Sequence, residues 1–329
     1  MEYLHTKIAE FAGDWTPWAL LALYTLSSGL ILWRLHAMAQ RGRSSAVLSA
    51  GLLPYATGWG NLCLVWLLLR IDGPTEAIPL NLWTNNLTSL SLMLALPALL
   101  WGLKLIPDAQ SKKSSPASPT IRGPFILNCV TFILLSLATW QLGQDGEIDR
   151  NEGFALLGLF ALWQCLQIFQ ALKRTPAAST VSIPLSVLDG LLILVGGFIS
   201  LLAVDGIVTT LMAQETGFFS IQQLGLLTGA LMLLPNAMLA WHYARQLRAD
   251  AVYHSQLSDA HICMPLCLAL CAIFKPLALP TFLLDGLLFL SALALVHLLC
   301  LQLLKELPKL VAAGLLAVYA YALFIQFSL

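Results

Sequence analysis

The chain has 329 residues, of which 58% are hydrophobic and only 10% charged, with a mean hydropathy of +0.80. Soluble domains carry about 25% charged residues, and disordered chains need high charge with low hydrophobicity, so both classes are excluded. Seventeen basic and seventeen acidic residues balance to zero, which leaves no electrostatic footprint for a nucleic-acid partner.

The apolar residues fall in long runs that must face a lipid bilayer. Only helices satisfy the backbone there without closing a barrel, so the fold class is all-α integral membrane. The segment before the first run carries Glu2, Glu10 and Asp14, the wrong charge for a cleavable signal peptide, so the first run reads as a retained helix. A span needs about 20 apolar residues. Ten transmembrane helices are predicted at 16–38, 45–69, 78–106, 124–142, 153–172, 185–212, 219–243, 258–279, 281–303 and 309–327. The polar segment 106–123 is a long loop. The linker 173–184 separates a first five-helix half, 1–172, from a second, 185–329.

Ten spans put both termini on one side. Arg34, Arg41, Arg43, Lys104, Lys112, Lys113, Arg122, Lys173, Arg174, Arg245, Arg248, Lys305 and Lys309 follow odd-numbered spans; Lys7, Arg70, Arg150 and Lys275 lie on the opposite side. The positive-inside rule then predicts a multi-pass cell-membrane protein with both termini extracytoplasmic. Trp15, Trp18, Trp101, Trp140 and Trp241 sit near span ends, as interface anchors do.

An odd number of helices per half makes the second half cross in the opposite sense, the inverted-repeat plan of many secondary transporters. Short matches recur at an offset of 174 residues. Met38-Ala39-Gln40 returns as Met212-Ala213-Gln214, and Gly51-Leu52-Leu53-x-x-Ala56 as Gly225-Leu226-Leu227-x-x-Ala230. Thr84-Asn85 matches Ser258-Asp259, and Gly153 in span 5 has a counterpart near Gly314 in span 10.

With these residues in place the chain resembles the calcium/cation antiporter superfamily, which includes the sodium/calcium exchangers. That family has ten helices in two inverted halves. Each half carries Gly-Leu-Thr-x-x-Ala, then Gly-Thr-Ser-x-Pro-Glu, and one helix later Gly-Ser-Asn-x-x-Asn. Gly51 to Ala56 and Gly225 to Ala230 stand where the first motif would be. Pro235-Asn236 resembles the Pro-Glu step, and Gly58-Trp59-Gly60-Asn61 lies where its partner would be. Trp83-Thr84-Asn85 and Leu257-Ser258-Asp259 resemble Gly-Ser-Asn. Ala249-Asp250-Ala251 is similar to the family's lead-in, and Asp145 to Gly153 to its acidic turn before helix 5.

The resemblance implies that Asn61 and Asn236 replace the two glutamates that bind the cation. Stretches 44–69, 78–106 and 216–249 hold no Asp or Glu, so Asp259 is the one carboxylate on the four expected central helices, spans 2, 3, 7 and 8. Calcium takes about six to eight oxygens with several carboxylates, and amides do not offset the desolvation of a divalent ion. Calcium exchange is therefore not expected. The ion-binding candidates are Asn61, Asn85, Thr88, Asn236 and Asp259, with Thr57, Asn86, Ser258 and Asp205 as secondary candidates. Asp259, close to the expected start of span 8, is read either as a helix N-cap, the favoured role, or as a charged ligand.

Other features have plain alternatives. Asp145 to Glu152 matches the later positions of a calcium loop, but Gln141 and Gly143 stand at the first two ligand positions, so a helix-capping turn is favoured. Cys263, Cys267 and Cys271 recur every four residues, with His261 beside them; small residues at a helix interface are favoured over a soft-metal path. The seven cysteines read as buried free thiols, not disulfides or a metal site. Asp189 and Asp285 lie near helix starts, where a cap or water contact accounts for them. Asp205 lies deeper and His297 is intramembrane. Asn81, Thr84, Asn85, Asn86 and Thr88 make span 3 polar, either as a pathway lining or as interhelical glue. No nucleotide-binding, nucleophile or zinc motif is present, so neither a cofactor nor an enzyme is indicated. Two readings follow: a secondary transporter of a monovalent cation, proton or small neutral solute, or a non-transporting structural or accessory subunit on the same scaffold.

Overall fold

The computed structural model describes residues 15–39, 51–104, 122–174 and 183–328. The acidic N-terminal residues, most of both linkers, and Gln40, Arg41, Arg43, Lys112 and Lys113 lie outside the described residues. The described residues are almost wholly helical. In order come α1 (Thr16–Ala39), α2 (Gly51–Thr57), α3 (Trp59–Arg70), α4 (Ala77–Leu90), α5 (Leu92–Trp101), α6 (Arg122–Leu142) and α7 (Arg150–Arg174). The second half has α8 (Ile183–Met212), α9 (Leu224–Leu231), α10 (Leu234–Arg245), α11 (Ala249–His261), α12 (Leu268–Phe274), α13 (Thr281–Leu299) and α14 (Lys309–Ser328). Wide π turns, Ile262–Cys267 and Cys300–Leu304, follow α11 and α13.

Among the described residues, eight helices are long and apolar enough to cross a membrane, and nine if the bent pair α2–α3 is one span. The expected third span, 78–106, is divided at Ser91 into α4 and α5. Apolar side chains point outward as lipid requires: Leu194 and Phe274 are each 74% exposed and Leu310 86%. Inside, buried apolar side chains form one large cluster, and buried polar side chains such as Asn61, Asn85 and Asp259 lie on the central helices.

The breaks in the central helices have local causes. Gly58 separates α2 from α3 at a bend of 64°. A Cβ there would lie 2.3 Å from Ile262 Cγ2, so only glycine admits that helix so close. Between α11 and α12, Pro265 has no N–H to donate, and Met264 before it is extended at φ −137°, ψ 108°. At Ser91 the helix turns out of register, and the Leu90 carbonyl accepts a hydrogen bond from His297 Nε2 at 2.6 Å.

These breaks repeat. Gly58 and Met232, Ser91 and Pro265, and the two-residue strands β1 (Leu103–Lys104) and β3 (Leu277–Ala278) all stand 174 residues apart. Further along, the starts of α6 and α13, of β2 (Glu147–Ile148) and β4 (Glu306–Leu307), and of α7 and α14 are all 159 apart. The spacing therefore shortens between β1 and α6, where the first half has its long loop. The strands pair antiparallel across the halves: Leu103 opposite Leu307 in β1–β4, and Ile148 opposite Leu277 in β2–β3. Exchanging the halves turns one strand pair into the other. Helix packing obeys the same exchange: α12 lies on α7 as α5 lies on α14, α3 packs on α8 as α10 packs on α1, and α6 packs on α13.

Two expectations are corrected. Asp189 is neither capped nor watered: it is fully buried in α8 and ion-paired with Arg34 of α1, because a carboxylate out of water needs a charged partner. The same helix pair is tied by Ser28 and Ser200, 2.8 Å apart. Cys165 is exposed on α7, so the thiols are not all buried, although all seven are free. Asp285 is exposed near the start of α13, as a water contact requires.

Candidate functional site

The polar face of α4 supplies the centre. Asn81, Thr84, Asn85, Asn86, Thr88 and Ser89 are all buried, on a helix that is otherwise apolar. α9 approaches this helix through Gly225 and Gly229. A Cβ on Gly229 would stand 2.4 Å from the Asn81 carbonyl oxygen, so two small residues one turn apart set the contact. Beside it the Asn81 amide donates to Thr228 Oγ1 at 2.9 Å.

Asn85 is the hub. Its Nδ2 donates to Asp259 Oδ2 at 2.6 Å and to Cys263 Sγ at 3.0 Å, and its Oδ1 accepts from Asn61 Nδ2 at 3.1 Å. Asn61, on α3, also donates to Cys263 Sγ at 3.1 Å. Asn236 begins α10 and donates to the Thr57 carbonyl at 3.2 Å; with Ser89 it flanks the Asp259 carboxyl. Four broken or short helices, two from each half, therefore converge on one carboxylate. Asn85 and Asp259 are themselves 174 residues apart, so the pair joins equivalent positions of the two halves.

Asp259 is not a helix cap. Its helix starts at Ala249, ten residues earlier, and the carboxyl is 0% exposed. Span 8 thus begins before the expected 258, because Ala249 to Leu257 continues the helix through residues that pack inside the bundle. One oxygen of Asp259 has no hydrogen-bond partner among the described residues, nor do Oδ1 of Asn61, Oδ1 of Asn236 and Oγ of Ser258. Buried acceptors are normally satisfied, so these oxygens keep the capacity to accept a further hydrogen bond or to face a positive charge.

The remaining candidates divide. Thr57 is buried, donates to Pro54 O, and offers its carbonyl to Asn236. Asn86 is buried with both amide atoms unpartnered among the described residues. Thr88 turns instead to Thr84 O at 2.7 Å and to Tyr319 OH, on α14, at 3.2 Å. Asp205 is half-buried in α8 and takes no part in the Asn–Asp–Cys cluster. Sequence reasoning noted Cys263 with Cys267 and Cys271 but favoured a packing role; the structure sets Cys263 against the amides of Asn61 and Asn85, four residues from Asp259. It missed Tyr24, whose OH donates to Met232 O at 2.8 Å across the two halves; nothing in its local sequence marks it.

His261 turns away from the cluster. It lies flat on Trp163, with ring centres 4.3 Å apart, and its Nδ1 donates to Leu257 O. The acidic turn before α7 is a capping box: Glu152 N donates to Asp149 Oδ1 at 2.8 Å, and Asp149 N to Glu152 Oε2 at 2.9 Å. A small crevice of about 20 Å³ lies between α4, α12 and α13, lined by Pro79, Trp83, Met264, Leu268, Leu283 and Leu287 among others. It is apolar, and none of the ion-binding candidates lines it.

No family model and no curated protein matches the sequence. Solved structures do. The sodium-calcium exchanger NCX_Mj, soaked with 2.5 mM Na+ and 10 mM Sr2+, superposes with a TM-score of 0.67 at 16% identity, over 98% of this chain and 99% of that one. With 1 mM Sr2+ the TM-score is 0.68 at 15% identity, over 98% of both chains. The H+/Ca2+ exchanger CAX gives 0.65 at 15% identity, over 98% of this chain and 88% of that one. The fold is thus that of the cation exchangers, end to end.

Proposed function

We propose that the chain is a secondary transporter on the cation-exchanger fold, moving a monovalent cation or a proton through a site made of Asn61, Asn85, Asn236 and Asp259. In this reading its ten spans form two inverted halves, 1–172 and 185–329, joined by a cytoplasmic linker at 173–184. The protein sits in the cell membrane with both termini outside. Span 3 is α4 plus α5, so each half contributes two interrupted helices to the centre.

One observation carries the reading: a fully buried carboxylate, Asp259, whose Oδ1 has no hydrogen-bond partner among the described residues, with unpartnered amide oxygens on Asn61 and Asn236 of neighbouring helices. Charge then limits the cargo. One carboxylate balances one positive charge, whereas a divalent ion would leave a net charge buried among amides. The NCX_Mj and CAX names include Ca2+, but here asparagines stand where the resemblance places the family's glutamates. Amides retain the coordinating oxygens and lose the charge. That substitution favours a singly charged cargo over calcium.

The alternative, a structural or accessory subunit that moves nothing, has one observation in its favour: the crevice beside the site is apolar and reaches none of the candidate residues. Reconstituted vesicles with a trapped pH dye separate the two. Under an imposed Na+, K+ or Li+ gradient the wild type is expected to move protons, and Asp259→Asn, which keeps size and shape, to fold normally with flux at background. Equal fluxes in the two proteins would remove Asp259 from the site. Absence of any ion-coupled flux in the wild type would favour the subunit.

A further inference from the structure

Tyr24 belongs to none of the broken helices, yet it enters the centre between two of them. It is buried on α1, and its hydroxyl donates to the Met232 carbonyl at 2.8 Å. Met232 closes α9, where the last carbonyls have no N–H of their own ladder, and the tyrosine supplies a donor there. On its other side the hydroxyl lies against Gly60 of α3. A Cβ on Gly60 would stand 2.3 Å from the Tyr24 oxygen and 3.2 Å from Met232 Cβ. Gly60 immediately precedes Asn61, and Met232 lies one turn before Asn236. Asp259 and Cys263 are electrostatic neighbours of the same hydroxyl. The helix that carries it is tied from behind: Ser28, one turn along α1, meets Ser200 of α8 at 2.8 Å. At the 174-residue spacing the counterpart of Tyr24 is Phe198, which has no hydroxyl and is 62% exposed. The repeat therefore does not supply this tie twice, and the fold alone does not call for it.

We propose that Tyr24 is the positioning residue of the Asn–Asp centre, a strut between α3 and the α9–α10 break that fixes the separation of Asn61 and Asn236 beside Asp259. The inference rests on the transport reading above and adds that the Tyr24 hydroxyl sets which monovalent cation the site prefers. A tyrosine has two side-chain torsions and a rigid ring, so it holds two backbones at a set distance where a flexible chain would not. Binding groups need their supporting shell to hold them to within about 0.5 Å. Without the hydroxyl, the Met232 carbonyl loses that donor and the start of α10, with Asn236, is free to shift against Asn61. The charge of the centre stays the same, so the limit to one positive charge stands and only the spacing of the oxygens changes.

Tyr24→Phe removes only the hydroxyl and tests this in two ways. The first is labelling of the full-length chain in detergent with N-ethylmaleimide, resolved thiol by thiol by mass spectrometry, which reads how often each buried cysteine opens to water. Cys263 and Cys63 are expected to label about tenfold faster in Tyr24→Phe, the scale of one lost buried hydrogen bond. Cys129, fully buried in α6, is expected to label at the wild-type rate. The second is the apparent KM for Li+, Na+ and K+ in vesicles, whose ratios are expected to change in the variant while the maximal rate is largely kept. Equal labelling of the centre in both proteins, or unaltered cation preference, overturns the assignment. Acceleration of Cys129 along with the central thiols also overturns it, because Tyr24 would then support the fold at large. Should Tyr24→Phe fail to fold, Gly60→Ala, whose methyl displaces the hydroxyl, is expected to give the same pattern, and wild-type labelling in that variant overturns the proposal. Ion flux with wild-type labelling and preference in Tyr24→Phe removes this inference and leaves the transport reading standing. A wild type that moves no ion removes that reading, while faster labelling confined to the centre keeps Tyr24 as its positioning residue.

Discussion

Asn85 shows how one side chain organises a buried site. Its amide gives two hydrogen bonds and receives one, tying α3, α4 and α11 together with Asp259 and Cys263. Removing it leaves a buried carboxylate and another buried amide without that partner. A buried polar group left without its partner costs about 1–3 kcal/mol, more when charged. Asn85→Ala is therefore expected to destabilise the chain by roughly that amount, read as a lowered unfolding temperature in detergent. Asn85→Ser, which keeps a small polar group, is expected to lose less. If Asn85→Ala unfolds at the wild-type temperature, the hydrogen bonds are not holding the helices. At this scale the sequence marks Asn61, Asn85 and Asp259 readily, because polar residues stand out in apolar runs. It does not separate Cys263 from Cys267 and Cys271, since a thiol among apolar neighbours looks like any small packing residue. Nor does it place Thr88, whose partner Tyr319 lies 231 positions away.

At the scale of elements, composition finds the long lateral helices and misses the interruptions. α1, α7, α8, α13 and α14 are continuous apolar runs close to their expected bounds. The inner helices are broken at Gly58, Ser91 and Met264, and hydropathy alone is blind to a break that leaves the segment apolar. Close approach is set by glycine. On Gly229 a methyl group would stand 2.4 Å from a backbone oxygen and 2.8 Å from Thr84 Cβ, neither of which can swing aside. Overpacking of this kind costs about 1–3 kcal/mol. Gly229→Ala is expected to lose that much stability, and Gly314→Ala, with nothing within 4 Å, to lose none. Thermal unfolding of the two variants side by side checks this; equal midpoints would mean that α9 does not press on α4.

The whole molecule is held across its halves by small devices at the span ends. Besides the two strand pairs, Lys275 Nζ donates to Asp72 Oδ1 at 2.8 Å, linking the end of α3 to the end of α12. Both residues lie outside the membrane spans. The hydrogen bond and charge of Lys275 hold the Asp72 carboxyl below its ordinary range, and those of Asp72 hold Lys275 above its own. For a lowered carboxylate the stabilisation is present above the unfolded-state pKa and is lost as pH falls through the folded one. For the raised lysine it is present below the ordinary lysine range and is lost as pH rises through the higher value. Asp72→Asn is expected to remove this pair's acid-side dependence, a small effect because both partners face water. Stability measured across pH 2–5 checks it; an unchanged acid branch would show that the pair contributes nothing. The charge limit at the centre applies to the whole assembly too. Vesicles carrying the protein are expected to take up no calcium under a sodium gradient, and robust uptake would contradict the single-carboxylate account.

Sequence alone determined the membrane class, the bounds of the long helices, the 174-residue spacing and Asp259 as the carboxylate on the central helices. Each is written in composition or in spacing along one chain, and lipid enforces the pattern because an unsatisfied backbone or a stray charge is costly there. Tertiary structure decided what those residues do. It put Asp259 ten residues inside a helix rather than at its start, gave Asp189 a charged partner in Arg34, and brought a thiol against two amides. These outcomes depend on which helices meet, and at what break. Those meetings join residues up to 202 positions apart, a separation over which no local pattern carries information. Asn61, Asn85, Asn236 and Asp259 come together because broken helices pack at a shared centre, and that packing exists only in three dimensions.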